Sequence, residues 1–551
     1  LGSVVSISKL RTWLPWAFTS WIIALAVLFP IAMVVLQALF PADNIWGHLV
    51  ETTLPRYLES SLILMVGVGV PSAILGVATA WIVTRCEFIG RRYFQWALLL
   101  PFAFPSYLLA YLYTDILQYS GPMQGYLREL FEWKYKSDYW FPEIRSIGGA
   151  MVMFTLTLYP YVYLLARSSF LEQSDSASNL SRLLGCSAWG SFFRVSLPAA
   201  RPAVAVGTSL VLMETLNDFG TVDFFAVETM TTGIFDIWLN RNNMGGAAQI
   251  ATLLMGMVLL LIGLEQISRR NQRQYQEEGS RKKIERVKLH GWLKVGAMSV
   301  VIFPVLFGFL IPFTVLSGYA WSALENYWDP QLYLYAMNTM LVATVAAFLT
   351  MVVGLLVSYS KRLQSKGGVK LAHKFAGIGY AMPGAVLAVG VVILFGGVDR
   401  FINEMLDKWF DYSPGLIFSG TLFALIFTYV VRFLAVATGG IDASLSKIKP
   451  SMDYAARSLG ESSFSTMRKI HIPMIRGGLL TAALIVFVDV MKELPATLLL
   501  RPFNFETLAT HVYYFASDEM LRETSIAALM IVLAGLGPVI LLSRSIASSR
   551  E

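Results

Sequence analysis

Residues 486–500 read VFVDVMKELPATLLL, so Asp489, Lys492 and Glu493 interrupt a run that is otherwise as apolar as a bilayer interior. A charge at such depth costs roughly 3 kcal/mol and usually marks a pathway or a pairing. Sliding the chain along itself by 275 positions places Glu214 on Asp489, Asn217 on Lys492 and Asp218 on Glu493. In each copy the two acids are four apart, the spacing of one helix face. Carboxylates near a helix C-terminus oppose the macrodipole, so helix propensity does not account for them. A hard cation passing oxygen ligands does. The spacing therefore predicts a substrate pathway lined by Glu214, Asn217, Asp218, Asp489, Lys492 and Glu493. The alternative is structural: pairing with neighbouring helices, or headgroup water around Asp218 and Glu493. Gly220 and Pro495 are expected to mark where each helix ends and an outer gate begins. No resident metal is expected, because His48, His290, His373, His471 and His511 are scattered and no Cys-x-x-Cys occurs.

The elements that must carry these residues are membrane helices. The 551 residues are 56% hydrophobic and 14% charged, and the mean hydropathy is +0.59. Apolar runs of about 20 residues, the length of a helical crossing, fall near 17–39, 59–84, 95–118, 147–167, 201–217 and 247–267. Six more fall near 294–316, 335–360, 371–397, 414–438, 476–493 and 525–545. This predicts an all-α integral membrane protein of about 12 transmembrane helices. The first run is too long and too poorly flanked for a signal peptide, so it is expected to remain as a helix. A net charge of +7 invites a nucleic-acid partner, but the basic run Arg269, Arg270, Arg273, Arg281, Lys282, Lys283, Arg286 and Lys288 fits a positive-inside bias with both termini cytoplasmic. Lipid, not nucleic acid, is the expected surroundings. Cys86 and Cys186 both fall on the predicted cytoplasmic side, so no disulfide framework is implied.

The chain is an internal repeat. Tyr57, Gly76 and Pro105 meet Tyr335, Gly354 and Pro383 at a shift of 278. At 275, SRLLGCSAWGSFFRVSLPAAR lies on ARSLGESSFSTMRKIHIPMIR, matching Arg182 with Arg457, Leu184 with Leu459, Gly185 with Gly460, Ser187 with Ser462, Pro198 with Pro473 and Arg201 with Arg476. Six spans per half give the copies the same orientation, related by an axis along the membrane normal. Residues 1–270 form the first half, 271–292 a basic cytoplasmic linker and 293–551 the second half. Each paired stretch reads as two short helices. In half two Ser451 is expected to cap MDYAARSL, Gly460 to end it, Ser462 or Ser463 to cap the next turn, and Pro473 to open a membrane helix.

Gly, nine residues, an aliphatic, any residue, an aliphatic and Pro occur as Gly185, Val195, Leu197, Pro198 and again as Gly460, Ile470, Ile472, Pro473. This pattern, at 176–200 and 451–475, resembles the EAA loop of ATP-binding-cassette importer permeases, and the fused six-plus-six plan resembles a type I permease core. The family's Glu-Ala-Ala is Asn179-Leu180-Ser181 in half one and Tyr454-Ala455-Ala456 in half two, with Asp453 beside the altered slot. KELPATLLLRPFNFETLAT and ETLNDFGTVDFF are similar to ferric-iron permeases. Fused thiamine permeases and two-chain polyamine, phosphonate or sulfate permeases share the general plan.

The resemblance implies that Arg182, Leu184, Gly185, Ser187 and Pro198, with Arg457, Leu459, Gly460, Ser462 and Pro473, couple to two copies of a cytoplasmic ATPase. It also implies an extracytoplasmic substrate-binding protein, iron(III) as cargo and a bacterial inner-membrane location. A phosphate loop needs Gly-Lys-Ser/Thr after a Gly-rich turn, and Gly-Lys never occurs. ATP and Mg are thus expected on the partners, and the chain is expected to be no enzyme. An ion-coupled secondary transporter shares the parallel repeat, and the paired stretches could instead lie flat on the membrane surface. YLRELFEWKYKSDYWF (126–141) and FINEMLDKWFDYSP (401–414) could dock the binding protein or form an interfacial aromatic belt.

Overall fold

The computed structural model describes residues 2–173, 185, 187–270, 286–326, 330–364 and 367–548. The helices that matter for function are α1 (Gly2–Leu39), α2 (Leu54–Arg85), α3 (Ser106–Leu117), α4 (Ile147–Glu172), α5 (Leu197–Asn217), α6 (Gly220–Phe224) and α7 (Met244–Arg270). Next come α8 (Gly291–Val305), α9 (Ile311–Asn326), α10 (Leu332–Leu363), α11 (Gly384–Phe410) and α12 (Leu422–Leu445). The chain continues with α13 (Pro450–Ser458), α14 (Ile472–Met491), α15 (Pro495–Leu500), α16 (Leu508–Ser517) and α17 (Ser525–Ser548). Among the described residues the only strands are Cys86–Glu87 and Val287–Lys288, a short parallel pair.

Ten of these helical segments are long and apolar enough to cross a membrane. The run expected at 95–118 is instead two helices bent by 88° at Phe104–Pro105, where Phe104 is extended (φ −85°, ψ 122°). Counted as one, that pair makes eleven, and the twelfth expected run, 525–545, lies within the 24-residue helix α17. The expected run 371–397 is also broken: Gly368–Ala376 stops before Met382, extended at φ −84° and ψ 129°, and α11 begins after Pro383. Both breaks have one cause, since proline disfavours helical backbone in the residue before it.

Two compact units emerge, and they do not coincide with the halves of the sequence. One comprises residues 1–49, 234–255 and 329–511; the other comprises 50–233, 256–328 and 512–551. In the first, α10, α12 and α14 pack as a trio, and α1 lies against α10, α11 and Gly368–Ala376. Ser360 on α10 donates to the Trp16 carbonyl at 2.9 Å. In the second, α2, α4 and α5 form the corresponding trio, while α9 packs on α17 and on α3. Tyr113 donates to the Phe307 carbonyl, in the π turn between α8 and α9, at 2.6 Å. Each unit therefore joins a trio of long helices from one half to the leading helix of the other.

Candidate functional site

Both paired stretches fold as arms leading into α5 and α14. In the first half Arg182 and Leu184, like Asn179, Leu180, Ser181 and Cys186, lie outside the described residues. Gly185 has a left-handed backbone at φ +86°, and Ser187 Oγ accepts the Gly190 N–H at 3.1 Å. A helical turn, Ala188–Ser191, then runs through a π turn, Phe192–Ser196, into α5 with Pro198 in its first turn. In the second half α13 ends in a Schellman arrangement. The Glu461 N–H donates to the Ala456 carbonyl at 3.0 Å and the Gly460 N–H to the Arg457 carbonyl at 3.0 Å. Gly460 supplies the φ of +82° that this closure requires. Ser462 Oγ accepts the Ser465 N–H at 3.2 Å, and a π turn, Met467–His471, passes into α14, with Pro473 near its start.

One local expectation is corrected, and one open alternative is decided. Ser451 is not the cap of α13: Pro450 opens that helix and Lys449 is the N-cap, because proline is pre-shaped for the first helical position. Ser462 rather than Ser463 caps the next turn. Arg457 is exposed, Leu459 is 84% exposed and Phe464 58%. The Ser465 hydroxyl, and then the Lys469 ammonium, hold the half-buried Glu461 carboxyl below its usual range.

The base of the second arm is held rigidly. Asp453, beside the altered Glu-Ala-Ala slot, pairs with Arg362 of α10 at 2.7 Å. Arg362 also donates to the Leu445 carbonyl at 2.6 Å and the Ile448 carbonyl at 3.1 Å. His471, wholly buried, brings Nε2 within 2.9 Å of the same carboxylate. The Tyr359 hydroxyl donates to the Ser463 carbonyl at 2.8 Å. These contacts tie the base of the arm to α10 and to the π turn that leads into α14.

At about 1.5 Å per residue, α5 and α14 carry the acids roughly 30 Å from the arms. The expectation that both acids of a pair share one helix face is corrected. α5 ends at Asn217 and Asp218 is extended (φ −68°, ψ 139°), while α14 ends at Met491 with Lys492 as its C-cap. Glu214 and Asp489 thus stay in the last helical turn, and Asp218 and Glu493 lie beyond it. The reason is local: each outlying acid caps the next helix. Asp218 accepts the Thr221 N–H at 2.8 Å, and Glu493 accepts the N–H groups of Ala496 and Thr497, each at 3.0 Å. Gly220 and Pro495 consequently begin α6 and α15 and do not end the helices before them.

The two outlying acids differ in their other partners. Asp218 takes a hydrogen bond from Ser106 at 2.9 Å. Glu493, 5% exposed, pairs with Arg432 of α12 at 3.1 Å and accepts the Thr497 hydroxyl at 2.7 Å. Gly384, equivalent to Ser106 at the 278 shift, leaves the room: a Cβ there would lie 2.0 Å from Arg432 Nη1 and 2.8 Å from Glu493 Oε1. Arg432 aligns with Thr157, whose hydroxyl is bonded to its own helix at 3.0 Å. Asp489 and Lys492 pair with each other at 3.1 Å. Glu214, Asn217 and Asp218 belong to one compact unit, and Asp489, Lys492 and Glu493 to the other. Arg432 and Gly384 were missed by sequence reasoning. The signal was available: one arginine in the apolar stretch LFALIFTYVVRFLAVATGG requires an acid somewhere.

In the stretch 126–141 the rings of Phe131, Trp133 and Tyr139 stack at 4.7 Å intervals beside a cavity of about 220 Å³ bordered by Tyr119, Lys136, Trp140 and Phe141. Arg128 lies 4.2 Å over Tyr119 and Lys136 meets Glu143 at 3.3 Å. In the other unit Asn403 donates to the Gly415 carbonyl at 2.7 Å, tying down the loop after α11.

Comparison with known proteins agrees with this duplicated architecture. The chain is 26% identical over 495 residues to the Fe(3+)-transport system permease protein FbpB 2 of Haemophilus influenzae, covering 88% of this chain and 89% of that protein. It is 24% identical over 492 residues to the ferric transport system permease protein FbpB of Actinobacillus pleuropneumoniae, covering 84% of this chain and 67% of that one. The sulfate transport system permease protein CysT of Escherichia coli is 26% identical over 250 residues, which is 44% of this chain and 86% of that protein. The profile of binding-protein-dependent transport system inner membrane components matches at residues 72–274 and 370–549, once in each half and each time across an arm. With most of its length in those two blocks and, among the described residues, ten helical runs long and apolar enough to cross a bilayer, the chain belongs to the family of binding-protein-dependent transport system inner membrane components.

Proposed function

We propose that this chain is the permease of an ATP-binding-cassette importer in the bacterial cytoplasmic membrane, moving ferric iron inward from an extracytoplasmic binding protein. Two copies of a separate ATPase would grip the arms, through Gly185, Ser187 and Pro198 and through Arg457, Leu459, Gly460, Ser462 and Pro473, with Arg182 and Leu184 completing the first. ATP and Mg belong to those subunits, and the chain itself acts as a transport subunit. The single observation that carries the reading is the likeness to ferric-iron permeases across both halves, whereas the sulfate relative spans less than half of the chain. Charge supports it: Glu214 and Asp218 present carboxylates where an anion would be repelled and a hard cation attracted.

In this mechanism a loaded binding protein docks outside, nucleotide-driven closure draws the arms together, and α5 and α14 tilt with them. Iron(III) then passes the ends of those helices, where Glu214, Asn217 and Asp218 of one half, and Asp489 with Lys492 of the other, supply the polar surface. Glu493 is assigned to holding the gate helix α15 rather than to meeting the ion, since Arg432 and three α15 donors already occupy it. The test is reconstitution of the purified chain with its ATPase and binding protein in proteoliposomes. Radioactive iron uptake should require ATP and both partners. Uptake driven by a proton gradient without ATP, or sulfate uptake in place of iron, would overturn the proposal.

A further inference from the structure

The groups nearest the predicted pathway that the mechanism leaves unused are phenols. In the unit comprising residues 50–233, 256–328 and 512–551, α3 packs against the short gate helix α6. The Tyr111 ring on α3 meets Phe224 of α6 edge-on at 4.5 Å. From α16, the Tyr513 ring lies 5.8 Å from Phe219, and its hydroxyl donates to Asp223 Oδ2 at 2.7 Å. Asp218 stands at the start of the same turn, held by Ser106 at 2.9 Å.

Tyr111 is only 2% exposed, and its hydroxyl has no hydrogen-bond partner. It lies within electrostatic range of Asp218, Asp223 and Tyr513. Burying a hydroxyl without a partner costs roughly 1–3 kcal/mol, and such exceptions in a folded protein call for a reason. Exposure is graded along the cluster: Asp223 is exposed, Tyr513 and Asp218 are intermediate, and Tyr111 is buried. The oxygen atoms of the cluster thus range from exposed to buried.

We propose that Tyr111, Tyr513, Asp218 and Asp223 form a transit site for a hard trivalent cation, which on the ferric-iron reading is the imported ion itself. All four side chains offer oxygen alone, the donor type suited to hard ions, and phenolate is an established iron ligand. Each phenol that coordinates passes its proton to a water or hydroxide ligand that the ion brings with it and that leaves as the phenolate binds, and Tyr513 must give up its bond to Asp223 as it does so. No group of three His, Cys, Asp or Glu among the described residues could cage a metal.

The inference rests on the ferric-iron reading, and the test separates the two. The full chain, purified in detergent, is titrated with iron(III) nitrilotriacetate while visible absorption is recorded. A phenolate-to-iron charge-transfer band is expected. Y111F and Y513F should each weaken iron binding by about 10- to 100-fold, the loss typical of removing a supporting group around a metal. The double variant should lose the band, and Y126F, at an exposed position, should keep it. Y111F should also unfold no earlier than the unmodified chain, because it deletes a hydroxyl that has no partner. No band in the unmodified chain, or a band that persists in the double variant, overturns the transit site even if reconstituted complexes transport iron. A phenol-dependent band without iron uptake by the unmodified complex would uphold the site and sink the functional reading instead.

Discussion

Replacing Glu493 with Gln should be far more damaging than replacing its counterpart Asp218 with Asn, although the two acids occupy the same place in the repeat. Glu493 is 5% exposed and Arg432 8%, and they meet at 3.1 Å. Removing one partner of a buried pair leaves an uncompensated charge, at a cost of about 3–5 kcal/mol. Asp218 has Thr157 in the place of an arginine, so its amide loses mainly the strength of a cap, about 1 kcal/mol. The gap between the two variants should therefore be about 2–4 kcal/mol. Arg432→Met combined with Glu493→Gln should recover part of it, because no charge is then stranded. Gly384→Ala should resemble Glu493→Gln, since its Cβ would enter the space of Arg432 Nη1. The assay is the fraction of monodisperse protein surviving a heating series in detergent. If Glu493→Gln is no less stable than Asp218→Asn, or if the double variant is worse than both singles, the assignment of Glu493 as the anchor of α15 is wrong.

The arms are tested by substitutions that change backbone preference without filling space. Among the described residues no atom lies within 4 Å of a Cβ at Gly185 or Gly460, so Val at both should fail through left-handed strain, about 1–2 kcal/mol at each site. The ATPase should then be lost in co-purification, while Asn at both positions retains it; equal recovery from the Val and Asn variants would remove the requirement for this turn. Ser187→Ala with Ser462→Ala deletes both caps, about 1 kcal/mol each, and should reduce transport-coupled ATP hydrolysis while leaving assembly intact, as read by phosphate release. Cys86 is buried and free, and burial pushes its thiol up to about 11. A raised value means the thiol stays protonated through neutral pH, and the thiolate is the reactive form. In a Cys186→Ser background, maleimide labelling at pH 8 should be negligible in folded protein and complete after denaturation; rapid native labelling would contradict the burial of Cys86.

The parts legible in the sequence were those encoded by one residue type over a short window. Long apolar runs gave the crossings, and Gly185 and Gly460 with Ser187 and Ser462 gave the arms, because left-handed backbone and side-chain capping have few substitutes. The helix ends at Asn217 and Met491 were not legible. A carboxylate four residues after another reads as one helical face, and only the N–H groups of α6 and α15 reveal that Asp218 and Glu493 have turned to cap those helices. Breaks at Pro105 and Pro383 were visible as prolines, yet the apolar runs continued across them. Tyr111 and Tyr513 are some four hundred positions apart in sequence, and no periodicity links them. Their relation to Asp218 and Asp223 is tertiary.

The exchange of leading helices sets a schedule for biosynthesis. α1 is complete at residue 39, yet its main packing partners, α10, Gly368–Ala376 and α11, begin only at residue 332. At ordinary rates of about 5–20 residues per second, that gap of roughly 300 residues keeps α1 waiting some 15 to 60 s. Through that interval the face that will cover Val34 and Ala24, both fully buried in the finished protein, can be occupied only by lipid or by a membrane chaperone. Release of a chain truncated near the linker would strand α1 without the helices it packs against, so quality control acting on this protein has an orphaned first helix to recognise.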